Sequence, residues 1–378
     1  MKILNVNMSL DPVRGGGTAE RTFQMSRFLA RSGVKCTILT TGMGINGKRL
    51  EALEGIRVIV LPCLFERFYI PRFTFRHILS LVKESDLVHL MGHWTFINAL
   101  VYSVTAYLHK PYVVCPAGAL PVYGRSKWLK KFYNWVIGKR IIYNASGHIA
   151  ITADEVFQFQ QYGVHLDRVS VIPNGIDREN YLSKDDADFR NKYGLSNHSF
   201  ILFVGRLNPI KGPDLLLDAF CYLKDRIQDY HLVFAGPDEG MLPMLKDMVT
   251  THHIEDRVHF VGFLRDKDKS HAYHAADLLV IPSRQEAMSI VALEAGISGT
   301  PVLLTDCCGF AEVADCGGGK VVPATVEGLH KGLSNMMNNR ESLKIMGENL
   351  KKYVKEHFIW DVISDKYLKL YQGILDER

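Results

Sequence analysis

The stretch LLVIPSRQEAMSIVALEAGISGTPVLLTD, residues 278–306, holds one complete strand–helix–strand unit. A short apolar run ends at Pro282, a helical run follows over SIVALEAGISG, and a second apolar run begins at Val302. Apolar runs that are bounded by turn residues and separated by helices are typical of a parallel sheet covered on both faces. This unit therefore predicts an α/β fold.

The same alternation recurs through nearly the whole chain and is interrupted by a polar stretch at residues 172–199. Before it, the predicted strands are Lys2–Met8, Lys35–Thr40, Ile56–Leu61, Leu87–Met91, Tyr112–Cys115 and His148–Thr152. After it, they are Phe200–Val204, His231–Ala235, Val258–Val261, Leu278–Ile281, Val302–Thr305 and Lys320–Val322. Two doubly wound, Rossmann-like α/β domains are therefore predicted in tandem. Because ligands bind such sheets beyond the carboxyl ends of the strands, we expect the two domains to face each other across a central cleft.

Two helices lie near the ends of the chain. The last, from Trp360 to Leu375, is amphipathic and follows the second domain. The first is predicted over Thr18–Arg31, where the spacing places apolar residues inward and three arginines outward, namely Arg21, Arg27 and Arg31.

Composition limits the class of protein. With 378 residues, 47% of them hydrophobic, the chain can bury a large core, and its length favours two domains. A net charge of +5 suits a phosphorylated ligand or an anionic membrane surface and is too small for a nucleic-acid-binding protein. Seven cysteines without a CxxC pair indicate a reducing compartment. Without a signal-like N-terminus or a long apolar stretch, we expect a cytoplasmic protein.

Glu286 and Glu294 lie eight residues apart in the mostly apolar opening stretch. Glu286 falls in the loop after the strand, and Met288, Ser289 and Ile290 begin the helix, where free backbone N–H groups and the helix dipole favour an anion such as a diphosphate. Glu294 falls in the second turn of the helix. Two carboxylates on either side of an anion-binding helix start predict a nucleotide-sugar site, with ribose at one end and hexose at the other.

A second loop, within FVGRLNPIKGPDLLLDAF at residues 203–220, supplies two cations. Arg206 follows a glycine at the end of a strand, and Lys211 precedes the next helix. A bidentate guanidinium and a compact ammonium can together bind a diphosphate and neutralise the charge on a leaving group.

A third loop carries three glycines, Gly15 to Gly17, directly before the first helix. Gly16 and Gly17 allow a phosphate or sugar to approach the backbone closely. The stretch does not fit the dinucleotide pattern GxGxxG, because Glu20 occupies the position of the last glycine, so nicotinamide binding is not expected.

Together these motifs resemble a known family. The glycines near the N-terminus, PNGID at 173–177, GRLNPIKG at 205–212, AGPDEG at 235–240, GFL at 262–264 and the E-x7-E pair look like the retaining glycosyltransferases of family 4. The resemblance implies the GT-B fold, with an acceptor domain over 1–178, a donor domain over 179–357 and a C-terminal helix over 358–378 that returns to the first domain.

The resemblance also implies roles for residues. Glu286 would lie near the transferred sugar, Glu294 would hold the ribose, Arg206 and Lys211 would bind the diphosphate, and Phe263 and Leu264 would flank the base. Retention in this family is usually explained by a displacement on one face of the sugar, in which the leaving phosphate accepts the acceptor's proton. No cofactor and no metal are then expected; the motifs Asp186-x-Asp188 and Asp266-x-Asp268 are more simply solvated charges.

The sequence departs from the family at two positions where relatives often carry a histidine, Met91 and Ala117. Many relatives carry a histidine within a PHG triplet, where this chain has Pro116-Ala117-Gly118. His93, in DLVHLMGHW, is a candidate replacement, although a single histidine is often structural. The missing histidine bears on how the acceptor reacts and not on how the donor binds. It is also compatible with an enzyme of weakened activity.

Two segments of the first half mix basic and aromatic residues, at 64–77 and 123–140. In the second, Trp128, Phe132 and Trp135 share one helical face, with lysines over the rest. Two interpretations stay open: an interfacial helix on an anionic membrane, and an amphipathic helix packed on its own sheet.

The predicted function is therefore retaining transfer of a hexose from a UDP- or GDP-sugar to a saccharide or lipid-linked acceptor, in cell-surface polysaccharide or lipopolysaccharide synthesis. Two alternatives are a nucleotide-sugar isomerase on the same scaffold and a non-catalytic nucleotide-sugar-binding subunit. The expected location is the cytoplasm, including the inner face of the membrane.

Overall fold

The chain folds into two units, seen in a computed structural model that describes residues 1–377 apart from 12–13, 45–46, 67–68, 74, 123–125 and 197. Unit 1 combines Met1–Gly175 with Trp360–Arg378, and unit 2 is Ile176–Ile359. The predicted boundaries, 178/179 and 357/358, fall within three residues of these divisions.

Unit 1 is built on a seven-stranded sheet in the order β3-β2-β1-β6-β7-β8-β9, in which each neighbouring pair is parallel. Its strands are β1 (Lys2–Val6), β2 (Lys35–Thr41), β3 (Arg57–Leu61), β4 (Cys63–Phe65), β5 (Ile70–Pro71), β6 (Leu87–Met91), β7 (Tyr112–Cys115), β8 (Gly147–Ala150) and β9 (Val169–Val171). Its helices are α1 (Gly16–Arg31), α2 (Gly47–Glu51), α3 (Phe75–Glu84), α4 (Phe96–Tyr107), α5 (Lys127–Tyr133), α6 (Lys139–Tyr143), α7 (Ala153–Phe159) and α16 (Trp360–Asp376). β4 and β5 form a separate antiparallel pair.

Unit 2 is built on a six-stranded sheet in the order β12-β11-β10-β13-β14-β15, again parallel throughout. Its strands are β10 (Ser199–Val204), β11 (Tyr230–Ala235), β12 (Val258–Gly262), β13 (Leu278–Ile281), β14 (Val302–Thr305) and β15 (Gly319–Val322). Its helices are α8 (Asp186–Lys192), α9 (Pro213–Leu223), α10 (Leu242–Thr251), α11 (Asp266–Ala275), α12 (Ile290–Ser298), α13 (Glu312–Asp315), α14 (Val326–Met337) and α15 (Arg340–His357).

The strand order of unit 2 reverses between β10 and β13, which lie side by side with Ile201 opposite Leu278. At such a switch point the chain leaves two adjacent strands in opposite directions, and a crevice opens beyond their carboxyl ends. The loops that follow β10 and β13 are therefore brought together at one edge of the sheet.

The predicted fold class is confirmed: both units are parallel-sheet α/β structures. β6, β7, β13 and β14 have the predicted bounds, because each is an apolar run buried on both faces, with every residue of the four strands buried. The prediction missed β4, β5 and β9, which have two or three residues each. The polar stretch 172–199 contains the unit boundary but also the short helix α8.

The C-terminal helix α16 belongs to unit 1, as expected. Trp360 stacks on Phe28 of α1 with 6.2 Å between ring centroids, and Tyr367 and Tyr371 are fully buried. Gly175 leaves room for this contact, since a Cβ there would lie 2.7 Å from the Trp360 ring. None of the helices in the described part of the chain is long and apolar enough to span a bilayer.

The expectation for Arg21 was wrong. Its side chain is 1% exposed and points into unit 1, where it donates to Asn174 Oδ1 at 2.9 Å and to the Ile172 carbonyl at 2.6 Å. Its guanidinium also lies 5.5 Å from the centre of the Tyr367 ring. Helical spacing treats arginine as a surface residue, whereas here three groups that are distant in sequence contact a buried one.

Candidate functional site

The candidate site lies at the switch point of unit 2, where the loops after β10 and β13 touch. Gly212 ends the first loop at φ +65°, and a Cβ there would lie 2.2 Å from the Pro282 carbonyl oxygen in the second. The Arg284 N–H donates to the Ile210 carbonyl at 2.8 Å. Only glycine permits this close approach of the two loops. The close approach fixes the positions of their side chains relative to each other.

Lys211 and Glu286 form an ion pair across these loops. The Lys211 ammonium donates to Glu286 Oε1 at 2.6 Å, and Ser283 Oγ donates to the same oxygen at 2.6 Å. The two side chains are 23% and 9% exposed, so the pair is largely removed from water. A carboxylate with this neighbour and this burial is held in one orientation and strongly coupled to the ammonium.

The loop after β14 fixes the backbone around Glu286. The Glu286 N–H donates to the Cys307 carbonyl at 2.8 Å, and the Ser289 N–H donates to the Cys308 carbonyl at 3.0 Å. Gly309 has φ +61°, and a Cβ there would lie 2.0 Å from the Ala287 carbonyl oxygen. Burial, with the charge of Glu286 nearby, raises the pKa of the Cys308 thiol to about 12, so this cysteine is a neutral packing group.

The start of α12 lies next to this carboxylate. The helix begins at Ile290 after Ser289, whose hydroxyl does not cap it. Ser289 Oγ is fully buried and has no hydrogen-bond partner among the described residues. The Met288 side chain is buried as well. What this terminus can offer an anion is therefore its free backbone N–H groups, its dipole and one hydroxyl.

Glu294 lies in the second turn of α12 and is buried. Lys269 of α11 binds both carboxylate oxygens, with Nζ at 2.6 Å from Oε1 and 2.5 Å from Oε2. Tyr273 donates its hydroxyl to Oε2 at 2.5 Å. Burial, and then the Glu294 charge, hold the pKa of Tyr273 well above its usual value, so the phenol stays a donor. A carboxylate oxygen can accept more than one hydrogen bond, so Glu294 can still accept a hydrogen bond from a hydroxyl group of a ligand.

Arg206 belongs to a second cluster of hydrogen-bonded side chains, next to the Lys211–Glu286 pair. It donates to Glu239 Oε1 at 3.0 Å, while Asn208 donates to Glu239 Oε2 at 2.6 Å. These two donors, Asn208 first, lower the pKa of Glu239. Asn208 Oδ1 also accepts a hydrogen bond from the backbone N–H of Lys211 at 3.0 Å. Asn208 therefore links the Arg206–Glu239 pair to the Lys211–Glu286 pair. The structure thus places Arg206, Lys211 and Glu286 on two linked loops.

The segment predicted to flank a base follows β12. Phe263 is 55% exposed, and the Arg265 guanidinium lies 5.6 Å from the centre of its ring, whereas Leu264 is buried. Gly262 precedes them at φ +72°, and its carbonyl accepts the Gly236 N–H at 2.8 Å from the loop after β11. An exposed aromatic ring at the carboxyl end of a strand is available to a planar ligand.

The glycine-rich loop and His93 lie in unit 1. α1 begins at Gly16, which has φ +55°, with Gly17 next in its first turn. A Cβ at Gly15 would lie 2.6 Å from Ala19 Cβ, so this glycine is needed for the tight entry to the helix.

His93 is buried at the end of β6. Its Nε2 is 3.0 Å from Asn134 Oδ1, and its ring packs edge-on against Trp94, Tyr133 and Tyr162. Burial lowers the pKa of His93 to about 4, so the imidazole is neutral at pH 7. Ala117, in place of the family histidine, has φ +53°.

Sequence reasoning missed the partners of the predicted residues, namely Ser283, Glu239, Asn208, Lys269 and Tyr273. Glu239 lies in the AGPDEG motif and Asn208 in GRLNPIKG, so both could have been singled out from motifs already noted. Lys269 and Tyr273 carry no such signal. Within the described residues, no three His, Cys, Asp or Glu side chains are placed to hold a metal ion. Asp268 instead pairs with Lys192 at 2.9 Å.

Comparison with known proteins places the chain in a family. The family model described as Glycosyltransferase Family 4 matches residues 15–180, and the model described as Glycosyl transferases group 1 matches residues 185–353. Together they leave out residues 1–14, 181–184 and 354–378. The chain belongs to the group 1 glycosyltransferases of family 4. The resemblance drawn from the motifs is thereby confirmed.

Two curated relatives illustrate the relationship of this glycosyltransferase. Mannosylfructose-phosphate synthase of Agrobacterium fabrum is 26% identical over 77% of this chain and 71% of its own length. D-inositol 3-phosphate glycosyltransferase of Nocardia farcinica is 32% identical over 63% of this chain. The match spans only about half of that second relative, 55% of its length.

Solved glycosyltransferase structures share the fold. Anabaena HepE in complex with UDP-glucose is 21% identical, has a TM-score of 0.79 and covers 99% of this chain and 100% of its own. Sucrose-phosphate synthase of Thermosynechococcus elongatus is 20% identical with a TM-score of 0.75, and the match covers 100% of both chains. The predicted GT-B fold is confirmed by these neighbours.

Proposed function

We propose that this glycosyltransferase moves a hexose from a UDP- or GDP-sugar to a saccharide or lipid-linked saccharide, with retention of the anomeric configuration. The observation that carries the proposal is the Lys211–Glu286 pair, 2.6 Å apart at the switch point and directly before the start of α12. A cation, an oriented carboxylate and a helix N-terminus thus lie together where the loops after β10 and β13 meet.

The diphosphate of the donor fits the charges of this edge. An ammonium has three donors, of which Glu286 uses one, so Lys211 can also bind a phosphate oxygen. The Arg206 side chain is half exposed, and its planar guanidinium group can turn from Glu239 toward a phosphate. The N–H groups at the start of α12 add a third source of positive potential. Solved Anabaena HepE contains UDP and UDP-glucose in its complexes, which supports this donor class.

Glu294 and Phe263 suit the nucleoside end. Glu294 is held rigid by Lys269 and Tyr273, and a fixed carboxylate can accept hydrogen bonds from the two ribose hydroxyls. Phe263 offers an exposed ring to the base. Glu286, in the loop before the start of α12, is left for the hydroxyls of the sugar.

The proposed reaction takes place on one face of the sugar. The bond between the anomeric carbon and the phosphate oxygen breaks as the bond to the acceptor oxygen forms, and the acceptor's proton passes to the leaving phosphate. Lys211 and Arg206 stabilise the negative charge that develops on the diphosphate, so the chemistry needs positioning and charge rather than a protein base. In this proposal no metal takes part, because the two cations and the helix supply the positive charge.

The acceptor part of the proposal is a saccharide of the cell-surface polysaccharide or lipopolysaccharide class, made on the cytoplasmic side of the membrane. Exposed aromatic and basic side chains on unit 1 support a lipid-linked acceptor, since they can keep the enzyme at a bilayer. His93 is too deeply buried to act as a base without movement, which supports the role of the leaving phosphate as proton acceptor.

Turnover of a panel of UDP- and GDP-sugars by the purified chain tests the proposal. We expect one donor to be consumed, and proton NMR of the product to show the anomeric configuration of the donor. Glu286→Gln should abolish turnover, whereas Glu327→Gln, which alters an exposed Lys–Glu pair of the same 2.6 Å length, should not.

Other outcomes exclude it. An epimerised donor with no free nucleotide would identify an isomerase, and tight donor binding without turnover would identify a binding subunit. An inverted product would refute the single-face reaction while leaving the donor site intact.

A further inference from the structure

The helical run from Lys127 to Tyr143 exposes large aromatic side chains. Trp128 is 74% exposed, Phe132 53% and Trp135 78%, and Leu129 and Val136 are exposed beside them. Trp135 and Phe132 lie against each other, with 5.9 Å between their ring centroids. These side chains are not packed on the sheet of unit 1, which contradicts the interpretation that they form its cover. A contiguous apolar surface of this kind usually marks an interaction site.

The same run is strongly basic. It contains Lys127, Lys130, Lys131, Lys139 and Arg140 and, from residue 127 to 143, no acidic residue. Lys127, Lys131, Lys139 and Arg140 are exposed. Aromatic rings interleaved with cations match the interface of an anionic bilayer, where indole rings lie at the level of the headgroups and ammonium groups reach the phosphates.

The run is held firmly by the body of unit 1. The Tyr133 hydroxyl donates to the Thr95 carbonyl at 3.2 Å, and Asn134 bridges His93 and the Tyr162 hydroxyl at 3.0 Å each. Between α5 and α6 the helix widens over Asn134–Gly138. This wide turn directs Asn134 inward and leaves Trp135 and Val136 facing outward. The exposed rings are therefore presented on a rigid support.

A second exposed group continues the surface. Phe73 and Phe96 are exposed and lie 6.3 Å apart, and Phe96 follows the Thr95 carbonyl that Tyr133 binds. Trp94 links the two groups, because its ring contacts Tyr133 and lies under the Lys130 ammonium at 5.5 Å. Arg72 and Arg76 are exposed beside Phe73.

We propose that this face binds the surface of a bilayer that contains anionic lipids. We call it the aromatic–basic face and define it by Trp128, Phe132, Trp135, Lys127, Lys131, Lys139, Phe73 and Phe96. The proposal rests on the lipid-linked acceptor of the proposed function and deepens it, because it names the surface of unit 1 that would hold the bilayer, whereas the proposed donor contacts are made by residues of unit 2. Binding can be measured without a sugar donor, so its failure and the failure of the transferase reaction are separable.

Charge favours a bilayer over a second copy of the chain. Two identical faces would bring like charges together, which opposes self-association unless salt screens them. An anionic surface instead attracts each exposed lysine, and the buried apolar area adds to the attraction.

Vesicle flotation with the whole chain tests this proposal. We expect the protein to float with phosphatidylcholine vesicles that contain about a third phosphatidylglycerol, and to stay in solution with phosphatidylcholine alone. Trp128→Ala with Trp135→Ala should lower the bound fraction about tenfold, and Lys127→Gln with Lys131→Gln should weaken binding most at low salt. Tyr107→Ala, at a residue 71% exposed on α4 of the same unit, is the matched control and should bind normally.

The unmodified protein provides a second measurement. All four tryptophans lie in unit 1; Trp360 is buried and Trp94 partly buried, so emission changes on vesicle binding report mainly Trp128 and Trp135. Lipids brominated near the headgroup should quench this emission, and the double tryptophan variant, with an unchanged melting temperature, should lose the quenchable part.

Three results would overturn the proposal. They are absence of flotation with anionic vesicles at low salt, equal binding by the tryptophan and Tyr107 variants, and a concentration-dependent dimer that the tryptophan variant abolishes. The last would assign the face to a second copy of the chain.

Discussion

Lys211 and Glu286, 75 residues apart in the sequence, share an ion pair of 2.6 Å. They meet because β10 and β13 are neighbours in the sheet of unit 2 although β11 and β12 separate them along the chain. Gly212 lets the two loops pass within van der Waals contact. The pair places opposite charges at the position where a doubly wound sheet binds its ligand.

Lys211→Ala should weaken donor binding by about 1.5–3 kcal/mol, the scale of hydrogen bonds to charged groups. Arg206→Ala should act in the same direction. Isothermal titration calorimetry with UDP and GDP measures the effect. Lys331→Ala is the control, because Lys331 forms an exposed ion pair of equal length with Glu327. Unchanged affinity in the Lys211 variant would show that the pair serves only the fold of the loops.

Tyr273→Phe should destabilise unit 2 by about 1–3 kcal/mol, because it removes a hydrogen bond to the buried carboxylate of Glu294. Calorimetric unfolding measures the loss. Tyr222→Phe, at an exposed tyrosine of the same unit, should be neutral. If ribose binding depends on the orientation of Glu294, the Tyr273 variant should also bind UDP more weakly. A variant of normal stability would mean that Lys269 alone holds the carboxylate.

Arg21→Met should destabilise unit 1 by about 2–5 kcal/mol, since it leaves the Ile172 carbonyl and Asn174 Oδ1 buried without this donor. Urea unfolding followed by tryptophan fluorescence reports on this unit, which contains every tryptophan of the chain. Arg31→Met should cost no more than about 1 kcal/mol, as Arg31 is exposed and contacts the Phe28 ring. Equal losses in the two variants would contradict the role assigned to Arg21.

Acidification should destabilise the protein through His231. Burial, and then the neighbouring His198 and His259, lower the pKa of His231 from 6.5 to about 4. Because the unfolded chain takes up the proton more readily, stability should fall as the pH drops from about 6.5 toward 4. His231 Nδ1 lies 2.8 Å from His259 Nε2, so a proton on each would repel the other.

Melting temperatures between pH 7 and pH 4.5 measure this dependence. His231→Asn should flatten the curve, although it does not remove it, because burial also lowers the pKa of His93 to about 4. His253→Asn, at an exposed histidine with φ +52°, is the control substitution. A steeper curve in the His231 variant would contradict the prediction.

The local pattern of the sequence was sufficient for the longer strands and for the motifs of the site, but not for β4, β5 and β9, which have two or three residues each. Buried parallel strands such as β6 and β13 are continuous apolar runs between turn residues, and this signal needs no tertiary information. Loops at the carboxyl ends of such strands could likewise be located, and with them Arg206, Lys211 and Glu286. The family followed from the order of these motifs.

The contacts of individual side chains, and whether each is buried or exposed, could be determined only from the tertiary structure. Helical spacing placed Arg21 on the surface, but three groups distant in sequence bind it inside unit 1. The same spacing could not decide whether Trp128 and Trp135 cover a sheet or face solvent; a widened turn and the contacts of Asn134 decide it. Periodicity encodes which residues share a face, whereas the packing of distant segments determines what that face meets.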